Sequence, residues 1–188
     1  MPDLVRKKTY SMLIIFYTFI KTGLLKQLFV IRHAKSDQSF FGTDFERPLN
    51  ERGRSDAPVM AKRLLDKYPL IDAFISSPAK RAKKTADFFA IAYGKTTDDI
   101  ILVSALYHAQ PEVFYEIIEA LPDKFNSVAL FSHNPGITFF VNDIVNDIKI
   151  DNMPTCGIFA VQANIAQWTG FMKAKKEFLI FNYPKLPV

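Results

Sequence analysis

The sequence predicts an α/β protein, a three-layer α/β/α sandwich around a mostly parallel sheet, on three observations. Short apolar runs alternate along the chain with segments of helical periodicity. The runs are apolar throughout rather than at every second residue, which calls for helices on both faces of the sheet. Arginine and histidine collect just after these runs, at the carboxyl ends of the strands, where open α/β sheets build their sites.

The elements follow in order. Leu28-Phe29-Val30-Ile31 is the first buried strand. Residues 54–67 form a helix in which Val59, Met60, Arg63, Leu64 and Leu65 give one apolar face. Asp72 to Ser76 is a second strand, and Ala79 to about Tyr93 a second helix stopped near Gly94. Ile100 to Val103 is a short strand. Pro111 opens a third helix at the position proline prefers, and Glu112 suits the dipole there. Val128 to Phe131 is a strand, Gly136 to about Asn146 a fourth helix, and Ile158–Gln162 and Phe178–Phe181 are two closing strands.

Composition bounds the function. At 188 residues the chain has one domain's length, and 49% hydrophobic against 23% charged residues is a globular balance. The net charge of +5 is misleading, because residues 1–26 hold Arg6, Lys7, Lys8, Lys21 and Lys26 against Asp3 alone. The rest is nearly neutral, so no nucleic-acid partner is expected. Arg6-Lys7-Lys8 before the apolar run Met12–Ile20 imitates a signal peptide, but no small-residue cleavage site follows. The run is also far shorter than the roughly 20 residues of a spanning helix. The expectation is a non-core extension over residues 1–26, of which 1–24 are dispensable, and a single domain over 27–188. Weak association of the extension with anionic lipid is the alternative. A lone cysteine, Cys156, allows no intrachain disulfide and fits a cytoplasmic setting.

Arg32 and His33 follow the first strand. Ser76-Ser77-Pro78 follows the second, with Arg81 in the next helical turn. Ser132-His133-Asn134-Pro135-Gly136 follows the 128–131 strand. Two of the three histidines therefore stand at strand ends beside two arginines. Arginine forks match phosphate oxygens, a helix N-terminus after Asn134-Pro135-Gly136 would add backbone donors, and a neutral imidazole can attack phosphorus. Such a cationic cluster suits phosphoryl transfer. His108 is assigned to the rim. Lys35 and Ser36 adjoin His33, placed either to touch phosphate or to stand as solvated loop residues. Cys156 lacks the C-x5-R spacing of a cysteine phosphatase, since Gln162 stands where the arginine would be. No P-loop, serine elbow or paired metal-ligand motif occurs, and no metal or cofactor is expected.

These residues carry a family resemblance. Arg32-His33-Ala34-Lys35-Ser36, Arg47-Pro48-Leu49-Asn50-Glu51-Arg52-Gly53, Ser76-Ser77-Pro78-Ala79-Lys80-Arg81-Ala82-Lys83-Lys84-Thr85-Ala86 and Ser132-His133-Asn134-Pro135-Gly136 resemble the ordered signatures of the histidine phosphatase, or phosphoglycerate-mutase-like, superfamily. Leu106-Tyr107-His108-Ala109 and Met153-Pro154-Thr155-Cys156-Gly157 are similar to its small phosphohistidine phosphatase branch, the SixA type. The resemblance covers about residues 27–184. It implies a phosphoglycerate-mutase-like fold, His33 as nucleophile, Arg32 and Arg81 as phosphate clamp, and His133 as second catalytic histidine. Ser36 and Asn134 are expected to bind substrate. Two departures stand out. Ser132 replaces a glycine, which threatens to crowd the strand end. Tyr107-His108-Ala109 has no carboxylate where larger relatives carry an acid, and Asp37, Glu46 and Glu112 are weak substitutes.

Only 51 residues separate Arg81 from His133, too few for a lid beside their helices and strands. An open pocket without an acid suits phosphohistidine on a protein. The alternatives are a small phosphate ester as substrate on the same scaffold, and a non-catalytic phosphoprotein-binding module.

Overall fold

The first strand, β1 (Leu25–Arg32), lies inside the sheet because Leu28 to Ile31 are buried on both faces. In the computed structural model, which describes residues 25–145 and 147–186, it pairs in parallel with β4 (Ser127–Ser132). On its other edge it pairs antiparallel with β5 (Ile158–Asn164). β2 (Ala73–Ser76) joins β4 and β3 (Ile100–Leu102), both in parallel, and β6 (Lys176–Asn182) closes the far edge against β5. The order is β3-β2-β4-β1-β5-β6, a mostly parallel sheet with one reversed strand.

Alternation along each strand divides the core. Leu28, Val30, Val128 and Leu130 face α3 (Pro111–Glu119) and α4 (Gly136–Ile144), where Phe114, Phe140 and Trp168 pack. Phe29, Ile31, Ala129 and Phe131 face α1 (Glu51–Lys67) and α2 (Lys80–Ala92), where Met60, Leu64 and Phe89 pack. Each such fully buried side chain contributes about 1.5–3 kcal/mol of transfer free energy. The predicted three-layer α/β/α sandwich is therefore the fold.

Three details differ from the sequence reading. α1 begins at Glu51, earlier than expected, because the Asn50 side chain caps it by accepting the Gly53 N–H at 2.9 Å. Pro58 lies inside the helix, on its exposed side, where a lost backbone donor is tolerated. Val59 is half-exposed instead of core; Ala57 and Ala61 take that face with Met60 and Leu64. Finally, Leu25 and Lys26, counted with the extension, already belong to β1. The expectations for residues 1–24, including their dispensability and lipid association, lie outside the described residues. Among the described residues no helix is long and apolar enough to cross a membrane.

Close backbone approaches fix the loops around the strand ends. A Cβ on Gly53 would run into the Lys35 carbonyl, and one on Gly136 into the Ala109 carbonyl. Glycine at these positions seats α1 against the segment after β1, and the α4 entry turn against the segment carrying Tyr107 and His108.

Candidate active site

β1, β2 and β4 end side by side, which brings the three predicted segments together. The β1 ladder continues one residue past the strand, with the His33 N–H donating to the Ser132 carbonyl at 3.1 Å. The Ala34 N–H donates to Thr85 Oγ1 at 2.9 Å, and that hydroxyl donates to the Arg81 carbonyl at 2.7 Å. α2 is thereby docked against the residue after His33. A cavity of about 300 Å³ opens at these strand ends, lined by Arg32, His33, Arg81 and His133 together with Ser36 and Asn134. Lys35, Gln38, Asp44, Arg47, His108 and Thr155 complete its wall.

The hydrogen bonds of His33 define its tautomer. Its Nδ1 lies 2.7 Å from the Ala34 carbonyl, which can only accept, so Nδ1 carries the proton. Its Nε2 lies 3.2 Å from Arg81 Nε, which can only donate, so Nε2 presents a lone pair. Burial, and secondarily the charges of Arg81, Arg32 and Arg47, lower the His33 pKa to about 3, against the Ala34 bond that favours the cation. His33 is a neutral imidazole at physiological pH.

His133 sits with its ring centroid 5.0 Å from that of His33. Its Nε2 is 2.9 Å from Ser77 Oγ, and its buried Nδ1 has no partner among the described residues. Burial, then the neighbouring His33, Arg81 and His108, lower its pKa to about 2, with Asp44 opposing. Arg32 donates from Nη1 to the Met153 carbonyl at 2.6 Å, while its buried Nε is likewise unpartnered among the described residues. A buried arginine donor left without an acceptor in a cationic pocket calls for an anion.

Both lowered histidines link pH to stability. A folded-state pKa below the unfolded value of about 6.5 means the unfolded chain binds more protons in between. Their contribution is complete above about pH 6.5 and is lost as pH falls toward the folded values. The urea midpoint should therefore drop steadily from pH 7 to about pH 4, and less steeply in a His33→Ala/His133→Ala variant. Equal slopes would contradict the buried neutral state.

Sequence reasoning missed Asp44. Its Oδ2 accepts from Arg81 Nη2 at 2.8 Å and from the Tyr107 hydroxyl at 2.9 Å, and its Oδ1 accepts from Arg47 Nη2 at 2.7 Å. Its backbone carbonyl also accepts from Arg81 Nη1 at 2.5 Å. Asp44 so holds the end of the Arg81 fork and turns the Nε edge toward His33. Burial pushes its carboxyl up, but the bonds from Arg47 and Tyr107 and the Arg81 charge outweigh this and hold it well below the usual carboxylate range. Arg47, noticed only as part of a motif, also donates to Ser36 Oγ. Only the spacing Asp44-x-x-Arg47 hinted at either residue.

The other expectations resolve individually. Asp37 accepts from the Ser39 N–H and hydroxyl in a turn, and neither Glu46 nor Glu112 joins the pocket wall; Asp44 is its one carboxylate among the described residues. Ser132 does not crowd the strand end, since its buried hydroxyl donates to the Leu106 carbonyl at 2.8 Å. Asn134 faces the cavity while bonded to Asn152, Met153 and Thr138. The helix-terminus donors were overestimated: the Ile137, Thr138 and Phe139 amides donate to the His133 and Pro135 carbonyls.

Comparison with known proteins converges on one family. Residues 28–107 match the profile of the histidine phosphatase superfamily (branch 1). An uncharacterized protein of Mycobacterium leprae, ML1117, is 26% identical over 168 residues, covering 82% of this chain and all of the relative. Among solved structures, a protein assigned as the phosphohistidine phosphatase SixA of Agrobacterium tumefaciens superposes with a TM-score of 0.70 at 25% identity, covering 85% of this chain and 98% of that one. The protein histidine phosphatase SixA complexed with tungstate superposes with a TM-score of 0.72 at 20% identity, covering 84% and 97%.

Proposed function

We propose the following chemistry for this chain, which belongs to the histidine phosphatase superfamily and is a phosphoryl-group hydrolase: His33 takes the phosphoryl group from phosphohistidine on a protein and passes it to water. The observation that carries this reading is the His33 ring itself, neutral, with Nδ1–H tied to the Ala34 carbonyl and the Nε2 lone pair turned to the Arg81 edge. Phosphate seated on Arg32, Arg81 and His133 would stand against that lone pair. Attack by Nε2 on phosphorus breaks the bond to the leaving group, which departs with the electron pair. Water then attacks the phosphorus, a proton leaves it, and the P–N electrons return to Nε2. The fixed cations and the His133 ring supply the electrostatic stabilisation.

Two features support a protein-borne substrate. The segment that brings Asp44 and Arg47 to the cavity also presents Phe41 fully to solvent, a contact suited to another protein. Asp44 is held ionised, so it cannot itself protonate a sugar alkoxide, the poorer leaving group. Phosphohistidine departs as an imidazole, a better leaving group when its ring is protonated. With Cys156 buried and no disulfide to form, the setting proposed is cytoplasmic. The test compares kcat/KM for phosphohistidine protein, a sugar phosphate and a nucleotide. The phosphohistidine protein should lead; a higher value for either small ester would make the chain a small-molecule phosphomonoesterase. Phosphoprotein binding without any turnover would make it a binding module.

A further inference from the structure

His108 is a non-glycine residue with a left-handed backbone, φ 57°, at the rim of the cavity. A side chain with a Cβ pays for that conformation, and such strain persists only where neighbours fix it. The neighbours are evident: Leu106 is fully buried with its carbonyl held by Ser132, and Ala109 is buried with its carbonyl against Gly136. The strained turn holds the His108 imidazole over the pocket, with its centroid 4.0 Å from Tyr107 and 6.4 Å from His133. Its Nε2 lies 3.9 Å from Asp44 Oδ2.

The other carboxylate and imidazole groups of the wall are committed elsewhere. Asp44 accepts from three side chains, and His33 and His133 are buried with a ring nitrogen of each occupied by Ala34 or Ser77. His108 keeps 59% of its side chain exposed while lining the cavity, so its ring is open both to solvent and to a bound leaving group. The groups around it are Asp44 and Arg47 from the segment after β1, Arg81 from α2, His133 after β4, and Tyr107 beside it.

We infer that His108 is a catalytic residue, the proton donor to the leaving group. This rests on the reading of His33 as nucleophile and deepens it. As His33 Nε2 attacks phosphorus, the bond to the leaving atom breaks and its electrons stay on the leaving group. The His108 imidazolium supplies the proton, to oxygen in an ester or to the ring nitrogen in phosphohistidine. Neutral His108 then takes a proton from the water that attacks the phosphoryl-His33 intermediate, and the electrons of the breaking P–N bond return to His33. Phosphate leaves and the imidazolium is restored. A donor at the rim also matches a leaving group that itself belongs to another protein's surface.

The test uses His108→Asn, which tolerates the left-handed backbone and cannot donate as an acid, and His108→Gly beside it. The readout is kcat/KM, which covers only the first transfer, over aryl phosphates of rising leaving-group pKa. Both variants should lose under about threefold with the best leaving group and about 10²-fold with the poorest, and should lose the alkaline limb of the pH profile. A uniform loss across the series, or no loss, overturns the assignment. Labelled phosphate should still reach His33 in both variants with the best leaving group. Failure to label the unaltered chain would defeat the nucleophile reading instead, and this inference with it.

Discussion

His33→Ala should lower kcat by about 10⁴-fold or more while leaving the chain folded. The fold survives because the strand-end contacts of residue 33 are made by its backbone: the N–H donates to the Ser132 carbonyl, and the carbonyl accepts from the Cys156 N–H, each at 3.1 Å. The lost ring frees Arg81 Nε, but Asp44 still holds both Nη atoms of that arginine, so the phosphate site keeps its shape. Chemistry is lost because no other ring is seated against the Arg81 edge as His33 Nε2 is; His133 points its Nε2 at Ser77. Steady-state turnover of an aryl phosphate, with circular dichroism to confirm folding, is the measurement. A folded variant that keeps more than about a tenth of the rate would remove His33 from the mechanism.

Arg81→Lys should cost about 10²–10³-fold in kcat/KM despite keeping the charge. Arg81 is almost wholly buried and serves three partners at once, with Nε on His33, Nη1 on the Asp44 carbonyl and Nη2 on the Asp44 carboxylate. A lysine ammonium has no planar fork and cannot reach His33 and Asp44 in that geometry. Asp44 would lose a close cation, and the lone pair of His33 its aligned donor. Inhibition by inorganic phosphate should weaken in parallel. A variant within threefold of the unaltered chain would show that position 81 contributes charge alone.

How much of this was legible in the sequence depended on range. Strands such as Leu28–Ile31 and Val128–Phe131 announce themselves because every residue is apolar, which only a strand covered on both faces requires. Their ends located His33, Arg81 and His133, since the strand-end rule needs no knowledge of the loops. Asp44 was hidden because its place depends on the path of the 37–47 segment. That path is set by long-range pairings, with Asp37 N–H on the Pro48 carbonyl and Lys80 N–H on the Phe45 carbonyl. Lys26 shows the same limit. Counted among the charges of the extension, it is buried, with Nζ donating to the Asp123 and Phe125 carbonyls and to Asn126 Oδ1. Those acceptors stand about a hundred residues away and compensate a burial that composition alone argues against. The strained turn at His108 was equally out of reach, being imposed by the packing of Leu106 and Ala109.

The central claim is that the phosphoryl group is carried by His33 Nε2. The most direct measurement is a rapid quench of the full-length chain with labelled substrate, in acid and in alkali, followed by peptide mapping. A phosphorus–nitrogen bond withstands alkali and breaks in acid, whereas a serine phosphate survives acid. The expected result is one alkali-stable, acid-labile label on the peptide containing His33, absent from His33→Ala. Label that survives acid, maps to another residue, or persists in His33→Ala would contradict it.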